Sequence, residues 1–304
     1  MVVHAAPAAA YVRKRTADTF VPMFWPDPRL TLEVARPPDG IGVTLDDLHA
    51  AARAAADSWS YPAIPCTGVT VQLGPAVTDS QVAGRDGKNR IIMRVGSWCR
   101  DPVTQSYCHD PAAVALTTFF SRSKPGAPND GQILEADIEI NAVGDYQWAA
   151  IPDGPISGRD YANVYDLPSV LTHETGHFIG LDHTCRVDGA PDLVDDRGDV
   201  YPGCFDVQAE NQPLIMDATM FPFMNPAEMK LRTLTADDAR AACEIYPTTS
   251  VPWEEWSGGG GCAAAPGPPS PAAWQGLATL AAIALSLRRP RHARAPSATR
   301  KFAR

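Results

Sequence analysis

None of the seven cysteines in this 304-residue chain stands in a CxxC pair. They therefore read as disulfide partners and not as a paired-thiol motif. Positive charge is scarce over most of the length. Residues 1–262 hold 19 Lys and Arg against 35 Asp and Glu, a balance of −16. A surface of that sign excludes nucleic acid as a partner. Long apolar runs are missing too: AAWQGLATLAAIALSL has 16 residues, short of the ~20 that span a bilayer comfortably. The opening MVVHAAPAAAYVRKRT lacks the charged n-region and full apolar stretch of a secretory signal. Histidine is infrequent, seven in all, yet three fall within eleven residues, HETGHFIGLDH at 173–183.

That cluster has a physical reading. His173 and His177 stand four residues apart and on a helix project from one face, close enough to hold one ion. Glu174, beside the first, is placed to act as a base on water and not as a ligand. Gly180 follows where the helix must stop, and glycine tolerates the left-handed conformation of a sharp C-terminal turn. The turn returns His183 as a third ligand. Three neutral imidazoles with one position left for water describe a catalytic zinc site, not a closed structural one. The five fixed residues recur by chance on the order of once per 10⁵ chains of this length. The flanks suit a helix: Asp166 can cap, Pro168 falls in the first turn, and Val170, Leu171 and Phe178 supply apolar positions.

The stretch matches HExxHxxGxxH at every fixed position and resembles the metzincin clan of zinc endopeptidases. DLPSVLTHETGHFIGLDHT is similar to the matrixins (matrix metalloproteinase-type catalytic domains), with Thr184 where that family usually has Ser. The resemblance covers residues 40–247. It implies an α+β zincin fold: a twisted, mixed five-stranded sheet under two helices, an active-site cleft, and a small C-terminal subdomain with a Met-turn and terminal helix. Met216 and Met220 are both candidates for that turn. Met220 is preferred because Phe221 and Pro222 follow it. By the same resemblance, ALTTFF at 115–120 is the edge strand against which extended substrate pairs, through Ala115, Leu116 and Thr117, and Phe223 belongs to an apolar pocket wall.

The elements expected from pattern fit that order. GVTLDDLHAAARAAADSWS reads as an amphipathic helix capped by Thr44 with Asp47 at its third position. Strand-like runs follow at Val69–Leu73, Arg90–Val95, Val114–Phe120 and Ile133–Ile140, and ILEADIEI alternates most clearly. Thr235 caps TADDARAACEIYP, the last helix. Two family features are missing. No PRCG-type stretch precedes the domain. His4, His49, His109 and His292 are too few and wrongly placed for a second, structural zinc. Asp188, Asp192, Asp195, Asp196 and Asp199 crowd one loop, which reads as a solvated acidic loop with Ca2+ binding as the alternative.

Six cysteines lie within the expected domain. Local spacing pairs Cys99 with Cys108 and Cys185 with Cys204, leaving Cys66 for Cys243, and an oxidising compartment follows. AAPAAA resembles the c-region of a signal peptide, so residues 1–10 are read as a signal remnant, with a start codon assigned late and cleavage near Ala10. Residues 11–39 are read as an N-terminal extension. At the other end SGGGGCAAAPGPPSP (within a 248–271 linker carrying Cys262), an uncharged apolar run and RRPRHAR (within 272–304) resemble the myxobacterial C-terminal sorting tag, with a short membrane anchor as the alternative. The expectation is a secreted or cell-surface zinc endopeptidase, monomeric, acting on extended peptide. Zn2+ is held by His173, His177 and His183, and Glu174 activates water. A zinc-stabilised adhesion module and a hydrolase of a non-protein amide are the alternatives.

Overall fold

The alternation of ILEADIEI produces a strand whose two faces do different work. The structure, a computed structural model, describes residues 10–78, 82–153, 160–187, 201–206 and 212–248. Five strands, numbered in chain order, form its main sheet: β1 (Arg29–Ala35), β2 (Thr70–Val77), β3 (Arg90–Arg94), β4 (Ala115–Ser121) and β5 (Ile133–Asn141). Their order is β2-β1-β3-β5-β4. The pairs β1–β2, β1–β3 and β3–β5 are parallel, and β4 runs antiparallel to β5. The sheet is therefore mixed, in an α+β chain, and β4 is an edge.

On β5, Ala136, Ile138 and Ile140 enter the core. The intervening carboxylates are buried as well, where simple alternation predicts a wetted face. Glu135 accepts from the backbone N–H groups of Asp86 and Gly87, and Asp137 from those of Gly84 and Arg90. Glu139 pairs with the Arg94 guanidinium and accepts from Thr118 Oγ1. Backbone N–H groups, one guanidinium and one hydroxyl satisfy this face.

β1 corrects the domain boundary. Leu30, Leu32 and Val34 are buried, and the strand lies between β2 and β3. The chain before residue 40 is thus part of the sheet and not an extension. Further upstream, Val12–Arg13 pairs antiparallel with Leu181–Asp182.

Among the described residues four α-helices accompany the sheet: α1 (Leu45–Ser58), α2 (Leu167–Phe178), α3 (Gln212–Met216) and α4 (Ala236–Ile245). Thr44 and Asp47 close a capping box on α1, as Thr235 and Asp238 do on α4. α1 buries Leu48, Ala51, Ala52, Ala55 and Ala56. Trp59 at its end is fully buried and donates from Nε1 to Thr172 O at 2.7 Å, tying α1 to α2.

Disulfides join Cys66 to Cys243, Cys99 to Cys108 and Cys185 to Cys204. These are the pairs that spacing predicts, and such bonds belong to an oxidising environment. The chain divides into a unit of Met1–Ala263 and one of Ala264–Arg304. The tail, Cys262 and residues 1–9 of the segment expected to be a signal remnant lie outside the described residues. Among the described residues no helix is long and apolar enough to cross a membrane.

Candidate metal centre

α2 carries the site, and its two ends explain how. Asp166 caps the start, accepting from Ser169 N at 3.0 Å, with Pro168 in the first turn. Arg232 grips the same carboxylate through Nε at 2.7 Å and Nη2 at 2.5 Å. At the other end Gly180 adopts φ +101, the left-handed turn for which glycine is suited, and its N–H donates to His177 O at 2.6 Å. The last carbonyls of α2 are met by Trp25 Nε1, which donates to Phe178 O at 2.6 Å, and Tyr246 Oη, which donates to Ile179 O at 2.8 Å.

This geometry brings His173, His177 and His183 together, with one potential ligand atom from each within 4.8 Å of the others. Their ring centroids are 4.7 to 5.3 Å apart. His173 Nδ1 lies 2.7 Å from Thr219 O, and His177 Nδ1 lies 2.8 Å from Leu181 O. A carbonyl can only accept, so both Nδ1 atoms carry the proton and both Nε2 atoms keep a free lone pair. His177 Nε2 lies 3.1 Å from His183 Nε2. Burial pushes His173 down to about 4 and holds His177 and His183 well below the ordinary imidazole value, each of these two disfavoured further by neighbouring imidazoles. Neutral rings with converging lone pairs form a donor set for a divalent transition ion, zinc among them.

Glu174 is 4% exposed. Burial raises its carboxyl to about 7, against the pull of the Thr117 hydroxyl and the Lys14 ammonium. Met220 packs directly under the ligand-bearing turn. A Cβ built on Gly176, between His173 and His177, would come 2.8 Å from Trp59 Cζ2 and nearer still to Met220 Sδ. Thr184 N donates to Met220 O at 3.1 Å, so the segment that follows His183 is fastened to the same turn. Met216 ends α3 and packs instead on the small cluster of Ala10, Cys185, Cys204, Ile215 and Phe221.

A cleft of about 400 Å³ opens over these groups. Ala115, Leu116 and Thr117 of β4 line it, as do Phe221, Phe223 and Met224, with Val170 and Leu231. Phe223 is 37% exposed and lies beside Phe205, ring centroids 5.7 Å apart. The acidic loop from Asp188 to Asp199 lies outside the described residues.

Lys14, Gly176 and Arg232 escape a sequence reading, as does the bond from Thr117, a strand residue by that reading, to Glu174. Lys14 lines the cleft and pairs with Asp182 at 3.2 Å, while Asp182 Oδ1 accepts from His183 N at 2.9 Å. Thr117 reaches Glu174 through its hydroxyl. Gly176 and Arg232 act through packing and an ion pair. Only Gly176 gave a signal, as a glycine inside a helical pattern, which calls for a packing reason. No protein-family model matches this chain, and no curated protein matches it.

Proposed function

We propose that the chain is a zinc-dependent endopeptidase of the matrixin-like, metzincin type with a zincin fold, working outside the cytoplasm on extended peptide. The observation that carries this reading is the pairing of three neutral imidazoles with a buried carboxylate beside an open sheet edge. A structural zinc site has no use for that carboxylate.

His173, His177 and His183 would hold the ion. Bound zinc supplies Lewis acidity, bringing the pKa of water toward ~7 and polarising the scissile carbonyl. The remaining work belongs to the chain. Carbonyls of Thr219 and Leu181 fix the ring orientation and tautomer of His173 and His177. Glu174, buried in the cleft beside His173 and His177, takes the proton of the attacking water and passes it to the leaving amine. Free backbone groups along β4 pair with the substrate strand, a mode that accepts any extended segment. Selectivity then falls to the apolar wall of Val170, Phe221, Phe223, Met224 and Leu231. Met220 serves as the Met-turn residue, supporting α2 from below. The disulfides favour secretion, and the C-terminal tail would attach or sort a monomeric enzyme at the cell surface.

The test is peptide hydrolysis with zinc content measured in parallel. Glu174→Ala should keep one zinc and lose activity by ~10² to ~10⁴ or more. His177→Ala should lose the zinc itself. A parent that binds zinc and cuts neither unfolded protein nor mixed peptides would overturn the proposal in favour of a zinc-stabilised module.

A further inference from the structure

Thr117 belongs to β4 by its backbone and to α2 by its side chain. Its Oγ1 lies 2.7 Å from Glu174 Oε2 and 3.2 Å from Glu174 O. A hydroxyl has one proton, and the shorter contact takes it, with the backbone carbonyl as the weaker second acceptor. Glu174 Oε1 accepts no hydrogen bond from the described residues. A glutamate side chain has three rotatable bonds, the last of them broad and roughly two-fold, so burial alone does not decide which oxygen faces which way. A hydrogen bond to one oxygen does.

We propose that Thr117 is the positioning residue for Glu174: its hydroxyl engages Oε2 and leaves Oε1 as the oxygen that handles the proton. This rests on the endopeptidase reading above. It adds a coupling to that reading, because the residue that orients the base also sits in the strand that pairs with substrate. Backbone pairing on β4 and orientation of the carboxylate thus meet at one residue. The alternative role is structural, since Thr117 is half-buried and β-branched in a strand, where valine would fill the same space.

The two roles separate by isostere. Thr117→Val keeps shape and strand preference and removes the hydroxyl. Thr117→Ser keeps the hydroxyl and removes a methyl. With zinc content and unfolding midpoint checked on each purified variant, Thr117→Val should lose kcat by about ten- to hundredfold, the range of a hydrogen bond to a charged group, with KM within about twofold. Thr117→Ser should recover most of that loss. Crystal structures of the metal-free proteins give a second readout: one Glu174 carboxylate orientation in the parent and Thr117→Ser, and a different or divided one in Thr117→Val. Glu174→Ala is run beside them. If Glu174→Ala abolishes cleavage while Thr117→Val retains parental kcat, or if the serine variant fails to recover, Thr117 is not a positioning residue and the endopeptidase reading stands. A parent without peptidase activity overturns both.

Discussion

Gly176→Ala sets two effects of known sign against each other inside the site. Alanine is favoured over glycine in a helix by ~1 kcal/mol, so α2 considered alone should gain stability. The structure predicts the reverse. The new Cβ would meet Trp59 Cζ2 at 2.8 Å and Met220 Sδ at a shorter distance, and both side chains are 0% exposed. Trp59 cannot slide away cheaply, because its Nε1 is bonded to Thr172 O at 2.7 Å. Overpacking a filled core costs ~1 to 3 kcal/mol, and two simultaneous clashes place this case at the upper end. The net loss is about 2 kcal/mol, a factor of about 30 in the folding equilibrium. Urea unfolding of the purified domain, followed by tryptophan fluorescence with and without zinc, should show a lower midpoint at unchanged slope. Met220→Ala removes the nearer obstacle, so in that background the alanine at 176 should cost at least ~1 kcal/mol less. A Gly176→Ala protein as stable as its parent, or costs that simply add, would refute the claim that Met220 packs against α2 at this point.

Asp166→Ala removes the cap on Ser169 N and the buried carboxylate partner of Arg232, which keeps Asp153 and the Ile151 carbonyl, and should destabilise by ~1 to 3 kcal/mol, read from the same unfolding curves. For the disulfides, chain entropy gives about 5 kcal/mol for Cys66–Cys243, which spans 177 residues, against about 3 for Cys99–Cys108, which spans 9. Replacing the first pair by serine should therefore lower the midpoint more than replacing the second, and equal losses would contradict the expectation. Asp237 is raised to about 7, chiefly by burial, so the folded state holds its proton between about pH 4 and 7 while the unfolded chain releases it. Its contribution to stability is full below about pH 4 and lost as pH rises through 7. Asp237→Asn should flatten that slope in unfolding measurements across pH 4 to 8.

The parts of this architecture that are local in sequence are the parts a sequence reading recovers. Thr44 with Asp47 and Thr235 with Asp238 begin helices because capping is decided within four residues. The Cys99–Cys108 and Cys185–Cys204 bonds close short loops, and Cys66–Cys243 follows by elimination. What escapes is set by partners far along the chain. The alternation of Leu30, Leu32 and Val34 is present, but it is short and bracketed by Pro26, Pro28, Pro37 and Pro38, and nothing local says that two parallel neighbours will cover it. The acidic face of β5 reads as solvent-facing for the same reason. Its loop partners arrive from residues 84–94. Thr117 fits a strand by its β-branch alone, and its bond to a residue 57 positions away has no signature in spacing.

The three candidate ligands themselves divide along this line. His173 and His177 are fixed by helical periodicity, so any stable α2 presents both on one face. His183 is not. It lies beyond the helix end, and its position depends on contacts from several distant segments. Gly180 O accepts from Lys14 N at 2.8 Å, Val12 pairs with Asp182, Trp25 and Tyr246 cover the terminal carbonyls, and Thr184 bonds both Met220 O and Ile215 O. Cys185 then anchors the strand of chain leaving the site. Two ligands alone hold a metal weakly, and the third is in place only once the N-terminal segment, the Met220 turn and α4 have packed. Under the proposed zinc reading, metal affinity and tertiary folding would therefore be linked through His183 more than through the helix pair. For that reason a motif confined to eleven residues needs contacts with residues 12–25 and 215–246 to become a site.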